Sequence, residues 1–239
     1  MDLTIHHARI EGAEQSINLG IADGKIVTMQ EDELAAGTVA IEADGALVSP
    51  PFVDPHFHLE NALLSDAVNG SGTLREAINI YADVKRDMSR EDIVARATQA
   101  LRMAVANGTL FMRNNVDIDQ IAKVRLLDAI CAARDKFAGV IDVQIVAFPQ
   151  LGLARNPEAV DLMWQAMQRG ATVVGGMPHG ERDMDDAARH IEIAFEIARA
   201  HDADIDMHID ETDDPRWHTL ELLAEKTVEA GYQGRVTAG

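Results

Sequence analysis

Two histidines one residue apart, His56 and His58 in Asp54-Pro55-His56-Phe57-His58, are the first residues along the chain whose types and spacing can do chemistry. In a strand, alternate side chains share a face, so the pair can present two imidazoles to one ion at about 2.1 Å from each nitrogen. A third imidazole, His208, stands in Ile205-Asp206-Met207-His208-Ile209-Asp210-Glu211. If both segments end strands of a barrel, whose C-terminal strand ends converge on one mouth, the three rings meet there. Three neutral imidazoles with an open position make a catalytic rather than a structural metal site, and zinc and ferrous iron both accept that set. Glu211, just beyond His208, is the candidate acid/base. A metal lowers the pKa of its water from about 15.7 towards about 7, and a neighbouring carboxylate can carry the proton on to a leaving group. Gln150, after Ala147-Phe148-Pro149, offers an amide with both donor and acceptor, which suits the mixed edge of an amide or pyrimidine better than a carboxylate or phosphate. The other six histidines, at positions 6, 7, 179, 190, 201 and 218, fall mostly in helical stretches or N-terminal β segments and are expected to be solvated.

These residues need elements to position them. Residues 3–9, 16–21, 25–29 and 39–41 have the texture of short strands separated by Gly, Asp and Glu, so residues 1–50 are expected to form a partial N-terminal β domain, part of a β-sandwich. From residue 51 onward, apolar runs at 52–58, 110–117, 142–148, 171–177 and 204–209, and a last one starting near Arg235, alternate with amphipathic stretches. The stretches are residues 73–87, 90–106, 121–136, 157–169, 184–201 and 217–230. Strands alternating with helices make a parallel sheet. From residue 110 the strand starts recur about every 30 residues, one βα unit, with Gly108, Gly139, Gly170 and Gly234 between helix and strand. Residues 51–239 are therefore expected to be a partial (β/α)8 barrel, truncated after about the fifth βα unit, because the complete fold takes about 250 residues. Residues 59–72 are expected as a loop at its mouth.

The chain has 239 residues, 40 acidic against 21 basic, for a net charge of -19. That field repels nucleic acid and anionic membranes, which leaves a small molecule as the expected partner. A composition of 47% hydrophobic and 26% charged residues belongs to a soluble globular chain with a sizeable core. The single cysteine, Cys131, excludes an intrachain disulfide and a four-thiolate zinc site. It also excludes the zinc deaminase fold built on Pro-Cys-x-x-Cys. With neither a basic, apolar leader at Met1–Ile10 nor a membrane-length apolar run, a cytoplasmic location is expected. The Asn-x-Ser/Thr matches at Asn69 and Asn107 are expected to be turns. Gly70-Ser71-Gly72 lacks the third glycine of a nucleotide loop and does not directly follow a strand, so that reading is set aside.

Pro50-Pro51-Phe52-Val53-Asp54-Pro55-His56-Phe57-His58-Leu59, residues 142–150, Gly175-Gly176-Met177-Pro178-His179, His208-Ile209-Asp210-Glu211 and residues 234–238 together resemble the cytosine deaminase branch of the amidohydrolase superfamily. Residues 107–110 and 231–237 are also similar to relatives that strip amines from hydroxylated triazines. The resemblance implies a TIM barrel with one divalent ion, Fe2+ or Zn2+, held by His56, His58 and His208. It implies Glu211 as the proton shuttle between attacking water and ring nitrogen, and Gln150 as a contact to the pyrimidine edge. The implied reaction is hydrolytic deamination of cytosine or a related N-heterocycle by metal-activated water, releasing ammonia or an amine. The chain departs from the pattern at Arg113-Asn114-Asn115-Val116-Asp117, where Arg-Thr-His-Val-Asp is common, and at Glu60-Asn61, where Asp-Thr or Asp-Lys is usual. It also ends at Gly239, ahead of the family's histidine after the sixth strand and its aspartate ligand on the eighth, so it is expected to be the family's N-terminal part. Two alternatives stand beside this: a non-catalytic module that needs the missing C-terminal strands, and a cyclic-amide or triazine amidohydrolase. The dinuclear relatives among the latter need a carboxylated lysine on the fourth strand, and residues 171–177 contain no lysine. Oligomeric state is left open.

Overall fold

Short apolar runs closed by Asp and Gly turns form β1 (Leu3–Ala8), β2 (Ile17–Ala22), β3 (Lys25–Gln30) and β4 (Val39–Glu42). The structure is a computed structural model that describes residues 1–64 and 69–239, so part of the expected mouth loop, residues 65–68, lies outside the described residues. Asp23 and Gly24 both take positive φ between Ala22 and Lys25, the geometry a two-residue hairpin demands. The four strands form one sheet in the order β3-β2-β1-β4, with β1 parallel to β4 and the other pairs antiparallel. Part of a β-sandwich was expected here, and the described residues of this unit, Met1–Pro51, form one sheet. Ile26, Val27, Met29, Val39 and Ile41 on its strands stay exposed.

The second unit, Phe52–Gly239, has an α/β fold. Its strands are β5 (Phe52–Phe57), β6 (Thr109–Asp117), β7 (Asp142–Phe148), β8 (Val173–Gly176), β9 (Asp204–Met207) and β10 (Val236–Ala238). Between them run α1 (Leu74–Asp87), α2 (Arg90–Ala106), α3 (Arg125–Asp135), α4 (Pro157–Arg169), α5 (Met184–Ala200) and α6 (Thr219–Ala230). Every strand pair is parallel and the spatial order is the chain order, β5 to β10. All C-terminal strand ends therefore lie along one rim.

The sheet curls as a half-barrel. Four strand spacings of about 4.8 Å put β6 and β10 about 19 Å apart along a flat sheet. Yet Arg113 on β6 bonds Gln144 on β7 at 2.7 Å, Asp206 on β9 at 2.7 Å and Thr237 on β10 at 3.3 Å. Only a concave face lets one guanidinium meet all three. The convex face carries the helices, whose apolar stripes make the core: on α5, Ala187, Ile191, Ala194, Phe195 and Ala198 follow the 3.6-residue period and are buried.

Helix starts follow the caps. Thr73, Ser89 and Asp183 accept from the backbone N–H three residues on and begin α1, α2 and α5. Two helices begin later than expected. Asp119 accepts from the N–H groups of Ile121 and Ala122, and Lys123 takes positive φ, so α3 starts at Arg125. The Asp210 carboxylate accepts from Thr219 and Leu220, which moves the start of α6 to Thr219.

Lys85 of α1 is fully buried and paired with Asp117 and Asp119 at the end of β6. Burial alone would depress its pKa, but the two carboxylates outweigh burial and raise it, so the ammonium stays charged. Lys85→Ala leaves two buried carboxylates without their counter-charge and is expected to cost about 3–5 kcal/mol of unfolding free energy in urea titrations. A loss under about 1 kcal/mol, the worth of a surface pair, would contradict this account.

Candidate active site

The curl that satisfies Arg113 also closes the distance between the first and fifth strands of the sheet. His56 lies on β5, His58 one residue past it, and His208 one residue past β9. The ring centroids of His56 and His208 are 4.5 Å apart, His56 and His58 5.3 Å, and His58 and His208 5.5 Å. One nitrogen of each ring lies within 4.8 Å of the others. A tetrahedral zinc with bonds of about 2.1 Å asks for nitrogen separations of about 3.4 Å, within reach of small ring rotations. Phe148, at the end of β7, stacks on His208 with centroids 4.2 Å apart and meets His58 edge-on.

Electrostatics differ across the cluster. Burial, together with positive charge on His58 and His56, pushes His208 down to about 3, so its ring stays neutral and its Nδ1 is buried with no hydrogen-bond partner. Burial pulls His58 down too, but the Glu60 carboxylate, 3.6 Å from its Nδ1, and the charges of Asp117 and Glu211 raise it on balance. With Nδ1 turned to Glu60, Nε2 of His58 is left for an ion. The segment is held from below: Leu59 donates to Asn114 on β6 at 2.6 Å, and Arg96 of α2 donates to the Glu60 and Ala62 carbonyls. A neutral, unpartnered His208 and a carboxylate-backed His58 fit a divalent ion.

Beside the cluster a cavity of about 580 Å³ is lined by Gln150, Arg155, Met177, His179, Glu211 and Trp217, among others. Gln150 and Glu211 thus share one cavity wall. Glu211 is placed there by Asp210, whose positive φ turns the chain while its carboxylate caps α6. The acidic run around Glu211 is accordingly divided: Asp210 caps a helix and Asp214 pairs with Arg216.

Two histidines expected to be solvated are buried. His190 sits on the apolar stripe of α5 at 0% exposure. Its Nε2 accepts from the Met177 N–H at 3.2 Å, so the proton is on Nδ1, which donates to Glu181 Oε1 at 2.7 Å. Glu181 also accepts from the N–H groups of Leu153, Ala154 and Arg155, the loop that follows Gln150. Glycine is required at both contacts: a Cβ at Gly176 would stand 2.9 Å from His190 Nε2, and one at Gly152 2.7 Å from Glu181 Oε1. His179, on the 3-10 turn Pro178–Gly180, is also buried, and burial holds its pKa below the ordinary histidine value against the pull of Glu211 and Asp210. Both had a legible signal. His190 falls at helical spacing among Ala187, Ile191 and Ala194, and His179 follows an apolar strand just as Gln150 does. On β6, Asn115 shares the concave face with Arg113 by strand alternation and is fully buried with neither amide atom partnered.

No protein-family model matches the chain. It is 29% identical over 248 residues to N-isopropylammelide isopropyl amidohydrolase of Pseudomonas sp. (strain ADP), covering 99% of this chain and 60% of that protein. It is 29% identical over 227 residues to the pterin deaminase of Rhizobium rhizogenes, covering 92% of this chain and 50% of the relative. Among solved structures, 5-methylcytosine deaminase from Klebsiella pneumoniae liganded with phosphonocytosine superposes with a TM-score of 0.91 at 36% identity, covering 98% of this chain and 58% of that one. These relatives and structural neighbours are members of the amidohydrolase superfamily, and the chain matches the N-terminal part of their length. It spans 60% or less of each of these three. Among the described residues, no helix is long and apolar enough to cross a membrane.

Two outcomes are expected. Zinc titration should load about one ion per chain, His208→Ala should abolish it, and His218→Ala should not. Because protons compete for His58, whose pKa is raised, the apparent zinc affinity should fall about tenfold per pH unit below that value. Glu181 is the second test. Burial raises its pKa, but the His190 bond and the backbone donors lower it overall from 4.5. A lowered carboxylate stabilises the fold above its ordinary pKa and loses that contribution as pH falls through the folded value. The stability deficit of Glu181→Gln, about 1–3 kcal/mol at neutral pH, should therefore shrink as unfolding is measured at pH values descending below 4.5.

Proposed function

We propose that this chain is the metal-binding part of an amidohydrolase that deaminates cytosine or a related N-heterocycle hydrolytically, releasing ammonia or an amine. The observation that carries the proposal is the meeting of His56, His58 and His208 at the rim where Gln150 and Glu211 line one cavity. Residues 51–239 serve as part of a (β/α)8 barrel and residues 1–50 as part of a β domain. The three imidazoles hold one Fe2+ or Zn2+, which when bound supplies Lewis acidity and a water that ionises near neutral pH. Glu211 carries one proton of the attacking water to the ring nitrogen as the C–O bond forms, and the second, from the newly added hydroxyl, to the amine as its C–N bond breaks, leaving a carbonyl. The Gln150 amide donates to and accepts from the ring edge, which favours heterocycles carrying N–H and C=O side by side. Phe148, packed on His208, keeps one side of the imidazole cluster apolar and limits water there. The chain's similarity to a pterin deaminase and to a 5-methylcytosine deaminase supports a heterocycle as the class of substrate.

A second reading has its own observation. The sheet order ends at β5 and β10, and Phe52 and Val53 on β5 are 66% and 63% exposed. Such edges pair readily with further strands, so the site reaches full activity only when they are covered.

Ammonia release from cytosine and 5-methylcytosine by the zinc-loaded and iron-loaded chain separates the two. Under the first reading, Glu211→Gln lowers the rate by about 10²–10⁴ with metal content unchanged. Metal binding without measurable turnover of either compound would favour the second.

A further inference from the structure

Resting on the heterocycle reading above, we propose that His179 is a further substrate-contacting residue, its imidazole hydrogen-bonding the ring on the edge that faces Glu211. Gln150, His179 and Glu211 follow β7, β8 and β9, three adjacent strands of one parallel sheet, and all three line the same cavity. His179 therefore stands between a residue assigned to the ring edge and the residue assigned to the proton.

The contrast with His190 separates a ligand-facing ring from a packing one. His190 is fully buried and both its nitrogens are bonded, one to the Met177 N–H and one to Glu181. The His179 side chain is 5% exposed, and neither of its nitrogens has a partner in hydrogen-bond geometry. Its polar neighbours are the His208 carbonyl and the Glu211 carboxylate, whose Oε2 is 3.9 Å from Nε2. A buried polar group with no partner is rare in a folded protein, and His179 lines the same cavity as Gln150 and Glu211.

The backbone that carries the ring is fixed. Gly180 donates to the Met177 carbonyl and Glu181 to the Pro178 carbonyl, closing the turn. The same Glu181–His190 pair that grips Met177 also grips the loop after Gln150, so one buried pair sets the spacing between His179 and Gln150. Glu181 and His190 are positioning residues. The imidazole and the Gln150 amide each offer one donor and one acceptor face, which matches a heterocycle whose N–H, N and C=O alternate around the ring. A cavity of about 580 Å³ accommodates one or two fused rings.

The test is a titration of the zinc-loaded chain, with ¹⁵N-labelled histidine and glutamine, first with cytosine and then with pterin, followed by NMR of the ring and amide nitrogens. His179→Gln assigns the His179 signals. Binding is expected to move the signals of both His179 and Gln150. His179→Ala is expected to weaken cytosine binding on the order of tenfold, the worth of one such bond, and His179→Asn to recover part of it, with zinc content the same in all. If a heterocycle binds and moves the Gln150 amide while the His179 signals stay in place, the inference is overturned and the heterocycle reading stands. If neither cytosine nor pterin binds at millimolar concentration, both fall. Should His179→Ala fail to fold, the titration of the unaltered chain decides alone.

Discussion

Arg113 fastens the curvature on which everything else depends. Its guanidinium crosses the concave face from β6 to Asp206 on β9, a carboxylate only 5% exposed, and touches Gln144 and Thr237 on the way. A charge-assisted bond in a low-dielectric interior is strong only while its geometry holds, so the pair penalises any flattening of the sheet. Two residues further along each strand, on the same face, come Asn115 after Arg113 and His208 after Asp206. The layer that holds the charges together and the layer that gathers the imidazoles are consecutive storeys of one curled surface. A chain with the same histidines on a flat sheet would hold His56 and His208 about four strand spacings, or about 19 Å, apart.

Two buried networks then fix orientation rather than curvature. On one side, Lys85, Asp117 and Asp119 anchor α1 to the end of β6, and Asn114 ties the segment that carries His58 to the same strand. On the other, Glu181 and His190 lock the ends of β7 and β8. In these networks Lys85, Asp119, Glu181 and His190 are all bonded. Several buried polar groups that are not, including Asn115, His179, the Nδ1 of His208 and Oε2 of Glu60, lie on the rim or the concave face. Unpaired groups are costly to bury, and those on the concave face lie beside the imidazole cluster, where a ligand could pair with them.

The strands and helices were legible because their signals are local: alternation, the period of about 30 residues, and Gly between helix and strand. His56 and His58 were legible for the same reason, and His208 because a parallel sheet sends all its C-terminal ends to one side. What escaped depends on partners distant in sequence. The helical spacing of His190 marks it as buried, but its role shows only once Glu181 and the Met177 N–H close around it. The late starts of α3 and α6 come from Asp119 and Asp210 taking backbone donors that a helix would otherwise use. Local propensity cannot show which carboxylate wins such a competition. Of the β-sandwich portion expected of residues 1–50, one four-stranded sheet is present, its strands legible from local alternation and turns.

Glu60 shows how one carboxylate behind the cluster has a physical use. Its side chain brings Oε1 to 3.6 Å from His58 Nδ1 and to 3.4 Å from the Asp117 backbone nitrogen. The carboxylate thus links the imidazole to the end of β6 and raises the basicity of the ring. A more basic imidazole is a stronger donor to a metal but competes harder for protons, and the two effects oppose each other near neutral pH. His208 resolves the opposition: pushed down to about 3, it stays neutral across the physiological range. One ring is neutral, while the other has a carboxylate behind it that favours its protonated form. Within one cluster, burial at His208 and a carboxylate behind His58 divide affinity from control, and both follow from where the curl of the sheet places the rings.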